Sequence, residues 1–137
     1  MRAIAHRAKE TGLCHDVDMR DHRLVVDEPR DKGGEDSGPT PQELLAASLA
    51  SCTAVTIEMY AARKQWDLGE VEVECDYEPA SEGQATEFKL TLRLPGSLPP
   101  EQVERLEQIA AKCPVHKTLA GETRFQQQTE LVEGQLG

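Results

Sequence analysis

The stretch "TPQELLAASLASCTAVTIEMYAARK", residues 40–64, decides the fold because it predicts one long helix with almost no polar face. Thr40 is suited to the N-cap and Pro41 to the first helical position. No charged residue occurs between Glu43 and Glu58. Since a helix that is apolar all round is buried on most sides, we expect this helix to run through the centre of the protein.

The rest of the chain predicts short strands and a second helix around this central helix. Alternating apolar and polar residues indicate a half-buried antiparallel pair, and an apolar stripe with early acids indicates an amphipathic helix. We predict a single domain over 1–137 with, in chain order, a β meander (1–29), a loop (30–40), the central helix (41–64), a β pair (68–95), a second helix with a Cys-Pro turn (99–120) and a final strand (122–133). This order predicts an α+β fold with antiparallel sheet packed around a central helix.

Length and charge limit the class of protein. A chain of 137 residues is the size of one domain that buries roughly two thirds of its unfolded surface. The net charge of -10 argues against nucleic acid and anionic membranes as partners, because both require clustered Lys and Arg. No stretch approaches the ~20 apolar residues that span a bilayer, and "MRAIAHRAKETG" at the start has no apolar signal core. We therefore expect a cytoplasmic protein.

The cysteines are the residues that could carry chemistry, and the chain has four: Cys14, Cys52, Cys75 and Cys113. A cytoplasmic chain does not keep a structural disulfide framework, and the lack of a C-x-x-C pair argues against structural zinc. Cys75 alternates in phase with the apolar residues of its strand, which favours packing in the core. Cys14 falls on the polar face of a short strand, which favours a bystander role.

Cys52 and Cys113 are the candidate reactive residues. Cys52 lies deep inside the central helix, beyond reach of the helix dipole, so its role is either core packing or a function that needs a tertiary partner. Cys113 precedes Pro114, which ends one helix and suits the start of the next, so its sulfur is a plausible N-cap that faces free backbone N–H groups. The alternative for Cys113 is completion of the apolar stripe of its helix. His116 is either a surface or capping residue or a support for Cys113.

The segments "GPTPQELLAASLASCTA" and "CPVHKTL", which contain Cys52 and Cys113 about sixty residues apart, resemble the family of osmotically inducible protein OsmC and organic hydroperoxide resistance protein Ohr. The less characterised OsmC-like branch of this family is the most similar, and the resemblance runs from about residue 22 to the end. It implies an intertwined homodimer, with antiparallel sheets wrapped around long central helices and two active sites at the interface.

The resemblance also implies thiol-dependent reduction of organic and sometimes inorganic hydroperoxides. Cys52 would attack the O–O bond and become a sulfenic acid, and Cys113 would resolve it as a disulfide. An external dithiol would restore both thiols. No metal, nucleotide or flavin cofactor is implied.

The chain departs from the family pattern at the start of the central helix. Better studied relatives place a glutamate ten residues before the helix cysteine, where it orients an arginine that stabilises the thiolate, but this chain has Gln42 there and Glu43 next. Glu43 lies on the opposite side of the helix from Cys52 and cannot simply substitute. The candidates for the activating arginine are Arg20, Arg23 and Arg30. The neutral Gln42 predicts weaker peroxidase activity or a different preferred oxidant.

Two other functions stay open. A non-enzymatic redox-sensing module or binder of a small apolar ligand is favoured by Gln42 in place of the acid. A thiol-dependent acyl hydrolase that uses Cys113 and His116 lacks a recognisable orienting acid.

Overall fold

The structure is a computed structural model that describes residues 1–134. It begins with an antiparallel three-stranded sheet in the order β1-β2-β3, formed by β1 (Ile4–Arg7), β2 (His15–Met19) and β3 (His22–Val26). Arg20, the first residue of the two-residue turn between β2 and β3, has a φ of 54°, and the turns that two-residue hairpins prefer have a positive φ at this position. These strands lie in the segment that the sequence predicts as a meander.

The loop between β3 and the central helix folds around a buried carboxylate, that of Asp27. One carboxylate oxygen accepts the backbone N–H of Glu28 at 2.8 Å, and the other accepts the backbone N–H groups of Glu35 and Ser37, each at 3.1 Å. The Ser37 hydroxyl donates to the same oxygen at 2.6 Å. The loop also contains a single 3-10 turn over Arg30–Lys32. These hydrogen bonds tie the loop to the sheet and fix the point from which the helix starts.

The central helix, α1, spans Pro41–Arg63. Its start is a capping box, in which Thr40 accepts the backbone N–H of Glu43 at 3.0 Å and the Glu43 carboxylate accepts the backbone N–H of Thr40 at 2.9 Å. The buried residues of α1 recur every four positions and form one stripe: Leu49, Thr53, Ile57 and Ala61. This stripe is the face that packs on the rest of the chain.

The second sheet is the antiparallel pair β4 (Glu72–Glu78) and β5 (Glu87–Arg93). Tyr77 and Phe88 are cross-strand partners, and their rings stack with centroids 4.7 Å apart. Strand β4 packs against α1, so the inner face of this sheet covers one side of the helix.

Two short helices complete the core. Helix α2 spans Pro100–Ala110 and packs on α1, and α3 spans Pro114–Ala120 and also contacts α1. The main hydrophobic cluster lies between α1 and α2 and contains Ile57, Ala61, Leu68, Leu106, Ile109 and Ala110. The predicted α+β class with antiparallel sheets is confirmed.

Two expectations differ from the structure of the single chain. The predicted final strand over 122–133 is absent: this segment has no regular structure, and Phe125 and Leu131 are 91% and 95% exposed. A strand needs a neighbouring edge for its backbone hydrogen bonds, and no described strand of the same chain pairs with this segment.

The expectation that α1 is buried on most sides is also wrong within one chain. Contrary to the expectation from the sequence, this helix is long and apolar enough to cross a membrane by length and composition alone. It nevertheless packs against β4, α2 and α3. These elements cover one face only, so Val55 and Met59 remain 51% and 62% exposed. An apolar helix face is therefore left open on the single chain.

Candidate functional site

The contact between α1 and α3 brings two thiols together. Cys52 lies in the middle of α1, and Cys113 lies at the junction between α2 and α3. Both are free thiols, and they are close enough for the S–H of Cys52 to donate a hydrogen bond to the sulfur of Cys113. Cys113 is completely buried, whereas Cys52 is partly exposed. Solvent therefore reaches Cys52 but not Cys113.

Cys113 occupies its position because Pro114 starts a new helix there. Cys113 is the N-cap of α3, and its sulfur accepts the backbone N–H of His116 at 3.4 Å. The backbone N–H of Val115 also contacts this sulfur. The capping geometry predicted for Cys113 is confirmed, and the sulfur faces N–H groups that have no partner inside the helix.

The surroundings of Cys113 favour its charged form. Burial raises the pKa of this thiol, but the hydrogen bond from Cys52 and the backbone N–H of His116 oppose that effect. The Thr53 hydroxyl and the backbone N–H of Val115 act in the same direction, so the pKa of Cys113 is lowered overall. The donors come from α1 on one side and from the first turn of α3 on the other.

The surroundings of Cys52 favour its neutral form. Burial raises the pKa of the Cys52 thiol, and its hydrogen bond to Cys113 raises that pKa further. The Val115 N–H and the Thr56 hydroxyl lower it by less, so the pKa of Cys52 is raised overall. The hydrogen bond between the two thiols lowers the pKa of Cys113 and raises that of Cys52, so they titrate as an interacting pair.

An apolar cavity of about 500 Å³ is lined by residues near the two thiols, and neither cysteine is itself part of the lining. Its volume is within the range of small-molecule sites. The wall from α1 is formed by Leu45 and Leu49, which precede Cys52 on the helix. The remaining lining residues come from the second sheet and from α3: Tyr77, Thr86, Phe88, Leu90, His116, Leu119 and Ala120. His116, whose backbone binds Cys113, thus also presents its side chain to this cavity.

The structure does not bring the other predicted residues to the thiols. Gln42 is exposed in the first turn of α1, and Glu43 is held in the capping box. The guanidinium of Arg23 binds the carboxylate of Asp18 at 2.7 Å on the first sheet, and Arg30 is exposed in the 3-10 turn. Within residues 1–134, no arginine is among the main influences on the pKa of either thiol.

Two residues that the sequence did not single out for the site are Thr53 and, further away, Asp27. Thr53 is a polar residue inside the apolar stripe of α1, directly after Cys52, and that exception to the pattern is the signal that could have found it. Asp27 directly follows β3, and its buried side chain organises the loop before α1. No local pattern distinguishes a buried aspartate of this kind from an exposed one.

The fold and the site together define a class: an α+β protein in which a long central helix and a short helix hold two free thiols beside an apolar cavity. The family model described as OsmC-like protein matches residues 34–128, which include both thiols and all of α1 and α2. The chain belongs to the OsmC-like protein family. The curated proteins include no match to this chain.

Solved structures of the same family have the same fold. An OsmC-like protein from Mycoplasma pneumoniae is 16% identical with a TM-score of 0.71, over 88% of this chain and 86% of that one. An organic hydroperoxide resistance protein from Elizabethkingia anophelis is 21% identical with a TM-score of 0.66, over 87% and 86%. A Legionella pneumophila protein described as organic hydroperoxide resistance protein OsmC and predicted redox protein is 26% identical with a TM-score of 0.59, over 88% of each chain.

Proposed function

We propose that this protein is a thiol-dependent peroxidase that reduces organic hydroperoxides, and also inorganic ones to some extent. The observation that carries the proposal is the contact between the free thiols of Cys52 and Cys113 beside an apolar cavity. Membership of a family that includes organic hydroperoxide resistance proteins supports the same activity.

The proposed reaction uses the two thiols in sequence. The thiolate of Cys52 attacks one oxygen of the hydroperoxide, the O–O bond breaks, and the products are a Cys52 sulfenic acid and an alcohol. Cys113 then attacks the sulfenic sulfur, a Cys52–Cys113 disulfide forms, and water leaves. An external dithiol reduces the disulfide and restores both thiols. Cys52 is placed first because it is partly exposed, whereas Cys113 is buried.

The lining of the cavity favours organic over inorganic peroxides. The stacked rings of Tyr77 and Phe88 and the leucines of α1 offer an apolar surface to an alkyl or aryl group. Burial of that group contributes about 25 cal/mol for each Å² of apolar area removed from water, an energy that hydrogen peroxide cannot gain. Hydrogen peroxide should therefore be the poorer substrate.

The proposed protein is a cytoplasmic homodimer that needs no metal or organic cofactor. The apolar face of α1 that one chain leaves open supports the dimer, as does the exposed segment 122–134. A net charge of -10 is consistent with partners other than nucleic acid or membranes.

The decisive experiment follows peroxide consumption with cumene hydroperoxide and a dithiol such as dithiothreitol. Wild type should turn over, and Cys52→Ser should fall to the uncatalysed rate because the attacking thiolate is gone. Cys14→Ser is the matched control and should keep full activity, since Cys14 directly precedes β2 of the first sheet and is not part of the thiol pair. Peptide mass spectrometry after one equivalent of peroxide should show Cys52 linked to Cys113. Equal, slow consumption by wild type and Cys52→Ser would rule the peroxidase out.

A second candidate is a redox-sensing or small-ligand-binding module without turnover. The pKa of Cys52, which burial raises, favours this function because a neutral thiol is a poor nucleophile. Gln42 and Arg30 are exposed and Arg23 binds Asp18, so none of the three stabilises a Cys52 thiolate in the single chain. This function predicts that one equivalent of peroxide still links Cys52 to Cys113 while a dithiol supports no multiple turnover. The peroxidase and the sensor thus differ in the number of peroxide molecules consumed per chain.

A further inference from the structure

The hydroxyl of Thr53 is a buried polar group without an ordinary partner. Its residue is 0% exposed, and among residues 1–134 its oxygen has no hydrogen bond of normal geometry. Hydroxyl side chains inside a helix usually donate to a carbonyl three or four residues back. Ser48 and Ser51 of the same helix do so, at 2.9 Å to Leu45 and 2.8 Å to Ala47. Thr53 does not, although an unpaired buried hydroxyl costs free energy.

The Thr53 hydroxyl is one of the groups that lower the pKa of the Cys113 thiol, which places it near that sulfur. Thr53 belongs to the stripe of α1 that faces the core, whereas the N–H groups of Val115 and His116 that also act on this sulfur belong to the first turn of α3. A neutral thiol is a weak acceptor, whereas a thiolate accepts strong, charge-assisted hydrogen bonds. The Thr53 hydroxyl, which has no hydrogen bond within residues 1–134 while Cys113 is a neutral thiol, therefore gains a strong acceptor once Cys113 loses its proton.

We propose that Thr53 is a positioning residue that holds Cys113 as a thiolate, ready to attack the sulfenic acid formed on Cys52. The inference rests on the proposed peroxidase function and deepens it. A thiolate is the form of a cysteine that attacks a sulfenic sulfur, so a buried Cys113 that has already lost its proton can form the disulfide without a further base.

The protons and electrons balance over the reaction. Cys52, which is partly exposed, gives its proton to solvent, and its thiolate attacks the terminal oxygen of the hydroperoxide. An S–O bond forms as the O–O bond breaks, so the Cys52 sulfur is oxidised by two electrons and an alkoxide leaves. The alkoxide takes a proton from solvent and departs as the alcohol. The Cys113 thiolate then attacks the sulfenic sulfur, and hydroxide leaves as the disulfide forms.

Several titratable side chains belong to the elements around Cys113, so its titration must be followed at its own atom. They are Cys52 on α1, Cys75 and Tyr77 on β4, Lys112 before the junction, and His116 and Lys117 on α3. The Cβ resonance of Cys113 in protein labelled with ¹³C-cysteine reports the charge on this one sulfur, and its absence from the spectrum of Cys113→Ser assigns it.

The test compares Thr53→Val and Thr53→Ser with wild type in the absence of peroxide. Thr53→Val removes the hydroxyl at nearly constant volume, and the titration midpoint of Cys113 should rise by about one pH unit or more, the effect of one hydrogen bond to a charged group. Thr53→Ser keeps the hydroxyl and should restore the midpoint to near the wild-type value. Thr91→Val, on the face of β5 opposite to Phe88 and Leu90, is the matched control and should leave the midpoint unchanged.

Thermal unfolding separates this role from a structural one. At a pH where Cys113 is protonated, Thr53→Val should unfold at the wild-type temperature or above it, because the change then removes an unpaired buried hydroxyl. A raised Cys113 midpoint in a protein of unreduced stability supports the proposal. A midpoint that is the same in Thr53→Val and wild type, or one that Thr53→Ser fails to restore, overturns it. Neither readout needs peroxide turnover, so the proposal can fail while the peroxidase stands, and the peroxidase can fail while the Thr53–Cys113 contact stands.

Discussion

At the scale of single residues, Asp27 is the charge whose removal should affect the fold most. Its side chain is 2% exposed, and it accepts hydrogen bonds from the Ser37 hydroxyl and from three backbone N–H groups. The Ser37 hydroxyl has the largest effect on this carboxyl, and together these donors outweigh burial and lower its pKa to about 2. The loop before α1 is thus folded around an ionised carboxylate.

Asp27→Asn should destabilise the protein and remove a pH-dependent part of its stability. The carboxylate of the folded state has a pKa of about 2, below the value of ~3.9 for an unfolded chain, so its stabilising effect is complete above the unfolded value. That effect is lost as the pH falls from there through about 2. Thermal unfolding between pH 2 and pH 7 should show a weaker pH dependence and a lower Tm at neutral pH for Asp27→Asn.

The matched control for Asp27 is Asp31→Asn, because Asp31 is exposed in the 3-10 turn of the same loop. Its Tm should follow that of wild type over the whole pH range. If Asp27→Asn has the same Tm as Asp31→Asn at neutral pH, the loop does not depend on the buried carboxylate.

At the scale of elements, the same loop depends on two glycines that allow close backbone contacts. A Cβ at Gly38 would collide with the backbone carbonyl of Val25, and one at Gly34 would collide with that of Glu28. In both cases the obstacle is backbone, which cannot move as a side chain does. The loop can therefore pack against the end of β3 only where these positions lack a side chain.

Gly38→Ala should lower the free energy of unfolding by about 1–3 kcal/mol, the usual cost of forcing an extra methyl group into packed structure. The matched control is Gly96→Ala, since a Cβ at Gly96 meets no atom within 4 Å. Urea unfolding of both variants measures the difference. Equal midpoints for the two alanine variants would contradict the close contact between the loop and β3.

The elements also explain how far the sequence could predict the structure. The start of α1 was predictable because Thr40 and Glu43 form a capping box from residues three apart, and the cap at Cys113 follows from the adjacent Pro114. The burial of Asp27 depends on Ser37, ten residues away, and the idle hydroxyl of Thr53 depends on a sulfur sixty residues away. Such contacts form only when the chain folds, and the pattern of apolar and polar residues along the sequence does not predict them.

At the scale of the whole molecule, two groups of exposed apolar side chains among residues 1–134 bear on assembly. Val55 and Met59 form an open face on α1, and Phe125 and Leu131 project from a segment without regular structure. The sequence predicts a strand for that segment, and a strand needs a partner edge that no described strand of its own chain provides. A second copy of the chain can supply both a cover for α1 and an edge for the segment, which is the arrangement of the proposed homodimer.

The dimer predicts that a charge in the carboxyl-terminal segment weakens self-association. Wild type should sediment at twice the mass of one chain, and Phe125→Glu should raise the dissociation constant roughly tenfold or more, because a buried aromatic side chain contributes about 1.5–3 kcal/mol. Gln126→Glu adds the same charge at the neighbouring position without the loss of apolar area, so its dissociation constant should change much less. Sedimentation equilibrium over a range of concentrations measures all three proteins. A wild-type chain that stays monomeric would contradict the proposed homodimer. Equal increases in the dissociation constant for the two variants would show that the added charge, and not the burial of Phe125, controls association.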